Sequence, residues 1–455
     1  MQSRKNYEKE FGTGRMWPLM IRMAIPSVAA QFVNLLYSIV DRIYIGHISG
    51  IGTDALAGVG VCSTLIILIA AFSQIVGGGG TPLAAIALGQ GDHERAEEIL
   101  GNGVTLLALF AVLLTIPAFV FMEPLLRLTG ASDATLPYAE RYFSVYLTGT
   151  FFVMVNVGLN PFINCQGRPG TAMLSVMIGA AINIVLDPIL IFGFRMGVTG
   201  AAIATVLSQA VSAVWILHFL FSEKASLRIR RKALYLRPDI IGAMTALGIS
   251  PFVMSSTESL TGIVLNSGLA RFGDIYVSAL TIMQSAAQFV SVPLQGFTQG
   301  CNPVISYNYG QGNRERVREG FRIYVKVMFT YNFLLVLLII LRPAMIARIF
   351  TGDTALIRTV QRIMPVFFLG MSIFGMQRVC QNMFVSLDEP GISLFIALLR
   401  KVILLIPLAI VLPHYFGYMG IFTAEPIADT VSAVTCMLVF LWRFPKIERR
   451  MHPQQ

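Results

Sequence analysis

Charge is what this chain has least of. Only 13% of its 455 residues are Asp, Glu, Lys or Arg, 55% are hydrophobic, and the mean hydropathy is +0.70. A soluble domain carries about 25% charged residues, so a water-facing globular surface is excluded. Cysteine is also sparse: Cys62, Cys165, Cys301, Cys380 and Cys436 are scattered, with no CxxC pair and no companion histidine. That pattern supports neither a disulfide framework nor a zinc or other metal site. His47, His93, His218, His414 and His452 stand equally alone. HExxH, GxSxG and Walker motifs are absent, leaving proteolytic, hydrolytic and nucleotide-binding chemistry without a carrier and arguing against an enzyme. The tetraglycine 77–80 has no Lys-Ser/Thr after it. It is expected to allow close helix packing or a break near a membrane face. No short apolar run with a cleavage site opens the sequence, and its first fifteen residues are expected to be a solvated or interfacial lead-in.

What the chain has is apolar length, repeated. Stretches long enough to cross a hydrocarbon core, about 20 residues each, fall at 17–45, 54–80, 96–122, 134–159, 171–194 and 198–222, then at 239–266, 275–305, 317–341, 356–385, 392–413 and 418–444. The two sets resemble each other. Residues 80–95 read GTPLAAIALGQGDHER and residues 301–316 read CNPVISYNYGQGNRER. GRPG at 167–170 is answered by DEPG at 388–391, and GVTGAA from Gly197 by GYMGIF from Gly417. All three landmarks recur at a spacing of about 220 residues, far longer than a solenoid repeat. The expected fold is therefore an all-α polytopic membrane protein of twelve transmembrane helices in two homologous six-helix bundles. An even number of spans per bundle makes the repeat parallel, with its pseudo-twofold axis along the membrane normal. The expected division is an N-lobe at 1–222, a basic cytoplasmic connection at 223–238 and a C-lobe at 239–455.

Charge placement orients this topology. With both termini cytoplasmic, the predicted inner segments hold most of the Lys and Arg residues. The largest run, Lys224, Arg228, Arg230, Arg231, Lys232 and Arg237, lies in the central connection. The next, Arg314, Arg316, Arg318 and Arg322, follows the second GQG turn. The net charge of +10 is thus accounted for by the positive-inside rule, without nucleic acid as a partner.

Function is sought in the polar residues that interrupt the apolar spans. A charge at mid-membrane costs about 2.5–3.5 kcal/mol on insertion scales. On the first span Asn34, Tyr37 and Asp41 share a helical face, downstream of Pro26. On the fifth, Asn183 and Asp187 are one turn apart within NIVLDP, and on the sixth Thr205 and Gln209 repeat that spacing. A carboxyl withdrawn from water holds a proton more tightly, and a second carboxyl nearby adds to the effect, as an alternately loaded cation site requires. The alternative is a structural hydrogen-bond cluster, with Asp187 capping a break before Pro188.

The doubled architecture, the first-span Pro followed by Tyr-x-x-x-Asp, and NIVLDP followed by GVTGAAIAT resemble the prokaryotic branch of the multidrug and toxic compound extrusion (MATE) family. The resemblance covers nearly the whole chain. It implies a V-shaped antiporter in the prokaryotic plasma (inner) membrane, acting as a monomer. It also implies alternating access and export of amphipathic, often cationic drug-like compounds against H+ or Na+, with no other cofactor. It further implies a cation or proton network of Asp41, Tyr37, Asn183, Asp187 and Thr205, with Tyr142 from the fourth span. Pro26 is then expected to act as a gating kink.

The second half carries other polar residues. Glu258 matches an acid that one family branch uses for coupling, but the tenth-span acid of that branch is replaced by Gln377, Arg378, Gln381 and Asn382. Arg400 and Lys401 on the eleventh span, and Glu425 and Asp429 on the twelfth, are candidates either for coupling or for intramembrane ion pairing. Asn34, Gln209, Gln284 and Gln288 are expected at a substrate cavity, with Gln295 on the same stripe. Two other classes stay open. A lipid-linked oligosaccharide flippase of the same superfamily would line its cavity with Arg or Lys for pyrophosphate, of which the first half offers few. A membrane enzyme would need a catalytic constellation at a membrane face, and none is found.

Overall fold

The computed structural model describes residues 10–48 and 50–451, and the regular structure among them is helical. Among the described residues, eleven helices are long and apolar enough to cross a membrane, and one bent pair, counted as a single span, makes a twelfth. In chain order they are α1 (Met16–Gly46), α2 (Asp54–Gly89), α3 (His93–Val120), α4 (Leu136–Thr148 with Thr150–Cys165), α5 (Pro169–Gly193), α6 (Val198–Phe221), α7 (Pro238–Ala270), α8 (Ile275–Gly310), α9 (Arg314–Leu341), α10 (Thr354–Ser386), α11 (Pro390–Phe416) and α12 (Tyr418–Arg450). The span expected over 134–159 is not one straight helix: α4 bends by 59° at Gly149. A Cβ there would lie 2.7 Å from a Val206 methyl, so the glycine lets the corner of α4 press on α6.

The three repeat landmarks adopt matching backbones. Gly91 and Gly312, the last residues of the GQG turns, take φ of +75° and +70°. The residue after each caps the next helix. Asp92 accepts a hydrogen bond from the Arg95 amide at 2.9 Å, and Asn313 one from the Arg316 amide at 3.2 Å. Gly167 and Asp388 are left-handed at +72° and +57°, and Gly197 and Gly417 both at +56°, just before α6 and α12. Left-handed backbone favours Gly, or Asp and Asn where Gly is missing, which explains what each landmark retains.

The first glycine of each GQG turn has a different task. A Cβ on Gly89 would fall 2.0 Å from the Tyr307 carbonyl oxygen, and one on Gly310 would fall 2.2 Å from the Ile86 carbonyl oxygen. Ile86 and Tyr307 occupy equivalent places in the repeat. The end of α2 therefore crosses the end of α8 backbone to backbone, each half offering its glycine to the other, and both GQG turns lie at the same end of the molecule. Further close approaches between the halves lie toward this end. Gly300 meets the Met23 carbonyl (2.4 Å to a built Cβ) and Gly79 meets that of Met244 (2.2 Å). Cys301 Sγ donates to the Met20 carbonyl at 3.3 Å, and Gln31 Nε2 to Gln299 Oε1 at 2.8 Å. The tetraglycine accordingly serves close packing. It causes no break, because the helix runs through it as a π turn, Ile75–Gly80.

Two segments outside the spans make more contacts than expected. The described part of the lead-in is not a solvated segment: Phe11 is fully buried, edge-on to Tyr307. The Phe11 carbonyl accepts from Asn308 Nδ2 (3.1 Å) and Arg316 Nη2 (2.8 Å), and the Gly14 carbonyl from Arg316 Nη1 (2.6 Å). The lead-in is thereby fastened to the GQG turn of the second half. The basic runs, read from sequence only as topogenic charge, also bind neighbouring elements. Arg237 reaches Glu98 at 2.8 Å and Arg230 reaches Glu97 at 2.6 Å, tying the central connection to α3. Arg318 pairs with Glu448 near the end of α12.

The crossing predicts a steric outcome. Gly310→Val forces a side chain into the Ile86 carbonyl, and overpacking of this kind costs about 1–3 kcal/mol. The probe is a chain whose only cysteine is Cys301, fully buried in the closed arrangement. Its maleimide labelling should be slow while Gly310 is kept and markedly faster once Gly310→Val is introduced; equal rates would mean that the crossing tolerates a side chain.

Candidate functional site

Pro26 does not interrupt α1, which stays helical from Met16 to Gly46 and carries Tyr37 and Asp41 beyond the region packed on α8. On α5 the one-turn spacing puts Asn183 below Asp187, and Asn183 Nδ2 donates to Asp187 Oδ1 at 3.3 Å. Asp187 is 0% and Asn183 1% exposed. The helix continues past Asp187 through Pro188 into a π turn, Ile189–Gly193, so Asp187 does not cap a break there. Its carboxyl faces that of Asp41 within side-chain hydrogen-bonding reach.

The other members of the predicted network surround this pair. Tyr142 from α4 faces Thr205 of α6, Asp41 and Tyr37. Tyr37 faces Gln209. All six residues, Asp41, Tyr37, Asn183, Asp187, Thr205 and Tyr142, are thus brought together from α1, α4, α5 and α6. Gln209, expected at the substrate cavity, also joins this cluster. Two participants were missed from sequence. Asn156 Nδ2 donates to Gln209 Oε1 at 2.5 Å and to the Gln209 carbonyl at 2.9 Å. Tyr146 stacks on Tyr142 with 6.3 Å between ring centres and also faces Tyr37. The signal available for Tyr146 was its one-turn spacing from Tyr142. For Asn156 it was an amide alone in an apolar run.

The polar atoms left over in this cluster are oxygens. Asp41 Oδ1, Asp187 Oδ2, Asn183 Oδ1 and Asn156 Oδ1 are buried without a hydrogen-bond donor. Each such group in a packed interior costs about 1–3 kcal/mol. The basic residue adjoining Asp41, Arg42, is exposed. An acceptor-rich, donor-poor pocket of this kind is suited to a proton or a small cation. Asn34 and Gln284 are half-buried and Gln288 is exposed; among the described residues none of the three is hydrogen-bonded to the cluster.

The charges of the second half pair with one another. Arg400 Nε donates to Asp429 Oδ1 at 2.6 Å, and Arg400 Nη2 lies 3.8 Å from Glu425 Oε1. The Arg400 guanidinium also covers the Phe374 ring at 4.2 Å, with Arg378 5.3 Å from the same ring. Glu258 is exposed and in electrostatic reach of Arg378, Arg400 and Glu425. Gln381 Nε2 contacts Met254 Sδ at 3.1 Å, and Asn302 Nδ2 reaches Asn382 Oδ1 at 3.4 Å.

Comparison with known proteins places this geometry. A family model described as MatE matches residues 26–189 and again residues 251–411. Multidrug export protein MepA of Staphylococcus haemolyticus is 22% identical over 94% of this chain and 94% of its own length. A crystal structure of MATE in the bent conformation superposes with a TM-score of 0.90 at 24% identity, covering 99% of both chains. An outward-facing multidrug resistance MATE transporter superposes with a TM-score of 0.87 at 24% identity, covering 95% of this chain and 96% of that one.

The cluster predicts a stability effect that does not depend on transport. Gln209→Ala removes the side-chain acceptor of Asn156 and the amide that faces Tyr37, leaving Asn156 only the backbone carbonyl at 209, and an unmet buried polar group costs about 1–3 kcal/mol. Thermal unfolding of the purified protein should show a lowered Tm, whereas Gln288→Ala should leave it unchanged; equal effects would show that Gln209 is not part of a buried network.

Proposed function

The chain belongs to the MATE family of multidrug efflux transporters, and we propose that it exports amphipathic, often cationic organic compounds in exchange for H+ or Na+ carried by the Asp41–Asp187 pair. The observation that carries the reading is the set of unpaired buried oxygens around two adjoining carboxyls. Two facing carboxylates repel each other inside an apolar bundle, and a proton or Na+ between them relieves both the repulsion and the missing donors. Exchange then requires that the loaded and unloaded forms differ in their affinity for substrate. α1 supplies the connection: it carries Asp41 at one end and the surface packed on α8 nearer the other.

On this reading residues 1–222 and 239–455 act as two lobes joined by the basic connection 223–238. The GQG end, where the lobes meet, is cytoplasmic together with both termini. The chain works as a monomer in a bacterial plasma membrane. Closure at that end leaves the pathway open toward the outside. The flippase alternative is disfavoured by the first-half pocket, whose free groups are carboxyl and amide oxygens where a pyrophosphate would need cations. Pro26 removes one backbone hydrogen bond from α1 and lets the helix bend as the pair is loaded.

Dye efflux from proteoliposomes under an imposed H+ or Na+ gradient tests the reading. Asp41→Asn and Asp187→Asn keep shape but remove the exchangeable charge, and each should abolish gradient-driven efflux. Glu258→Gln should retain most of it. Full coupled efflux in both Asn variants, with loss in Glu258→Gln, would move the coupling site to the second half. Pro26→Ala should transport with a displaced pH profile; an unchanged profile at normal rate would remove the bend from the mechanism.

A further inference from the structure

The internal repeat allows the two halves to be compared position by position, and the comparison picks out Arg400. The register is fixed by Gly167 against Asp388 and by Gly197 against Gly417, which share left-handed backbones. Along α6 and α12 it is confirmed by sequence: VSAV at 211–214 recurs at 431–434. Thr205 and Gln209, the α6 residues of the first-half cluster, then correspond to Glu425 and Asp429 on α12. Asn156 on α4 corresponds to Gln377 on α10. Beyond the residue that a π turn inserts in α11, Asn183 and Asp187 on α5 correspond to Leu405 and Ala409, which are buried as they are. At the equivalent place the second half therefore carries two carboxyls on α12, where the first half has them on α1 and α5.

The helix opposite those positions also differs between the halves. In the first half, α5 passes the equivalent point with Gly179 and Ala180, and Gly179 lies so close to Ser212 that a Cβ would come within 2.2 Å of its Oγ. In the second half the corresponding residues are Arg400 and Lys401, carried on a π turn, Leu399–Leu405, where α5 is regular α-helix. A π turn inserts a residue and re-aims the side chains around it. It delivers the Arg400 guanidinium onto Asp429 and toward Glu425. The groups facing Arg400 are Glu425 and Asp429 from α12, Arg378 from α10 and Glu258 from α7, and Lys401 beside it faces Glu425.

We propose that the second half contains a counterpart of the first-half cation site whose cation is built in: the Arg400 guanidinium takes the place that an exchangeable H+ or Na+ takes between Asp41 and Asp187. A tethered guanidinium cannot leave, and as a group charged at every working pH it does not release a proton. The carboxyls Glu425 and Asp429 are thereby withheld from coupling, and a monovalent inorganic cation is the ligand they would take once Arg400 is gone. The proposal rests on the reading of Asp41 and Asp187 given above for its comparison, and its test separates the two.

The test is the dependence of Tm on Na+ and on pH for the full-length purified protein in detergent. In the Asp41→Asn/Asp187→Asn background, with Arg400 present, Tm should be insensitive to Na+. Adding Arg400→Gln should create a response, a rise in Tm of about 3 °C or more with saturating Na+ or on lowering the pH. Further addition of Glu425→Gln and Asp429→Asn should abolish that response, and Arg400→Lys should not create it. No gain of response with Arg400→Gln overturns the proposal. A response already present before Arg400 is changed counts against the assignment of Asp41 and Asp187, while the increment made by Arg400→Gln still decides this one. If Arg400→Gln alone fails to fold, neutralising Glu425 and Asp429 in the same chain should restore the folded yield, and failure of that rescue overturns the proposal as well.

Discussion

Two carboxyl groups face each other inside an apolar helical bundle with no basic residue ion-paired to either among the described residues, and the other features of the first half follow from that constraint. Water would relieve their repulsion on a soluble surface. In hydrocarbon the relief has to come from the protein or from a bound cation. The protein gives only part of it. Asn183 donates to Asp187, while Tyr37 and Tyr142 are engaged by Gln209 and Thr205. The remaining oxygens lack donors. Purely structural packing would be better served by neutral side chains, and the unrelieved acceptors are the groups that the proposed cation would satisfy.

The second constraint is how closely the halves approach. At the GQG end, Gly89 and Gly310 bring backbone against backbone across the pseudo-twofold axis, and the lead-in and Arg316 fasten the same end. About 15 Å of helix, ten residues at 1.5 Å each, separates Gln31, which touches the second half, from Asp41 at the site. A change of charge at Asp41 therefore acts on the same helix that forms the inter-half contact. That arrangement offers a physical route from ion loading to the relative position of the halves.

Much of this was legible in the sequence, for identifiable reasons. Apolar length gave the spans to within a few residues at most boundaries, because a hydrocarbon core imposes it. The landmark repeats were readable because left-handed turns tolerate few residue types. Asp41 and Asp187 stood out because charge is rare in such a chain. What the sequence did not show depends on side-chain direction. Gln209 was expected at a cavity, yet it faces Tyr37 and Asn156. The bend at Gly149 has no proline to announce it. Phe11 looked like part of a polar tail, but its burial depends on Arg316, a residue distant in sequence. The π turn that aims Arg400 at α12 leaves no periodic trace in an eleventh span that is apolar on nearly every side.

The central claim is that substrate and cation compete through the Asp41–Asp187 pair, and counting the cation released on substrate binding tests it most directly. Calorimetric titration of a cationic dye into the purified protein, repeated in buffers of different ionisation enthalpy and at different Na+ concentrations, reports how many protons or Na+ ions leave. The account predicts a net release from the native protein and none from the Asp41→Asn/Asp187→Asn variant, with dye binding retained in both. Undiminished release from that variant would contradict it.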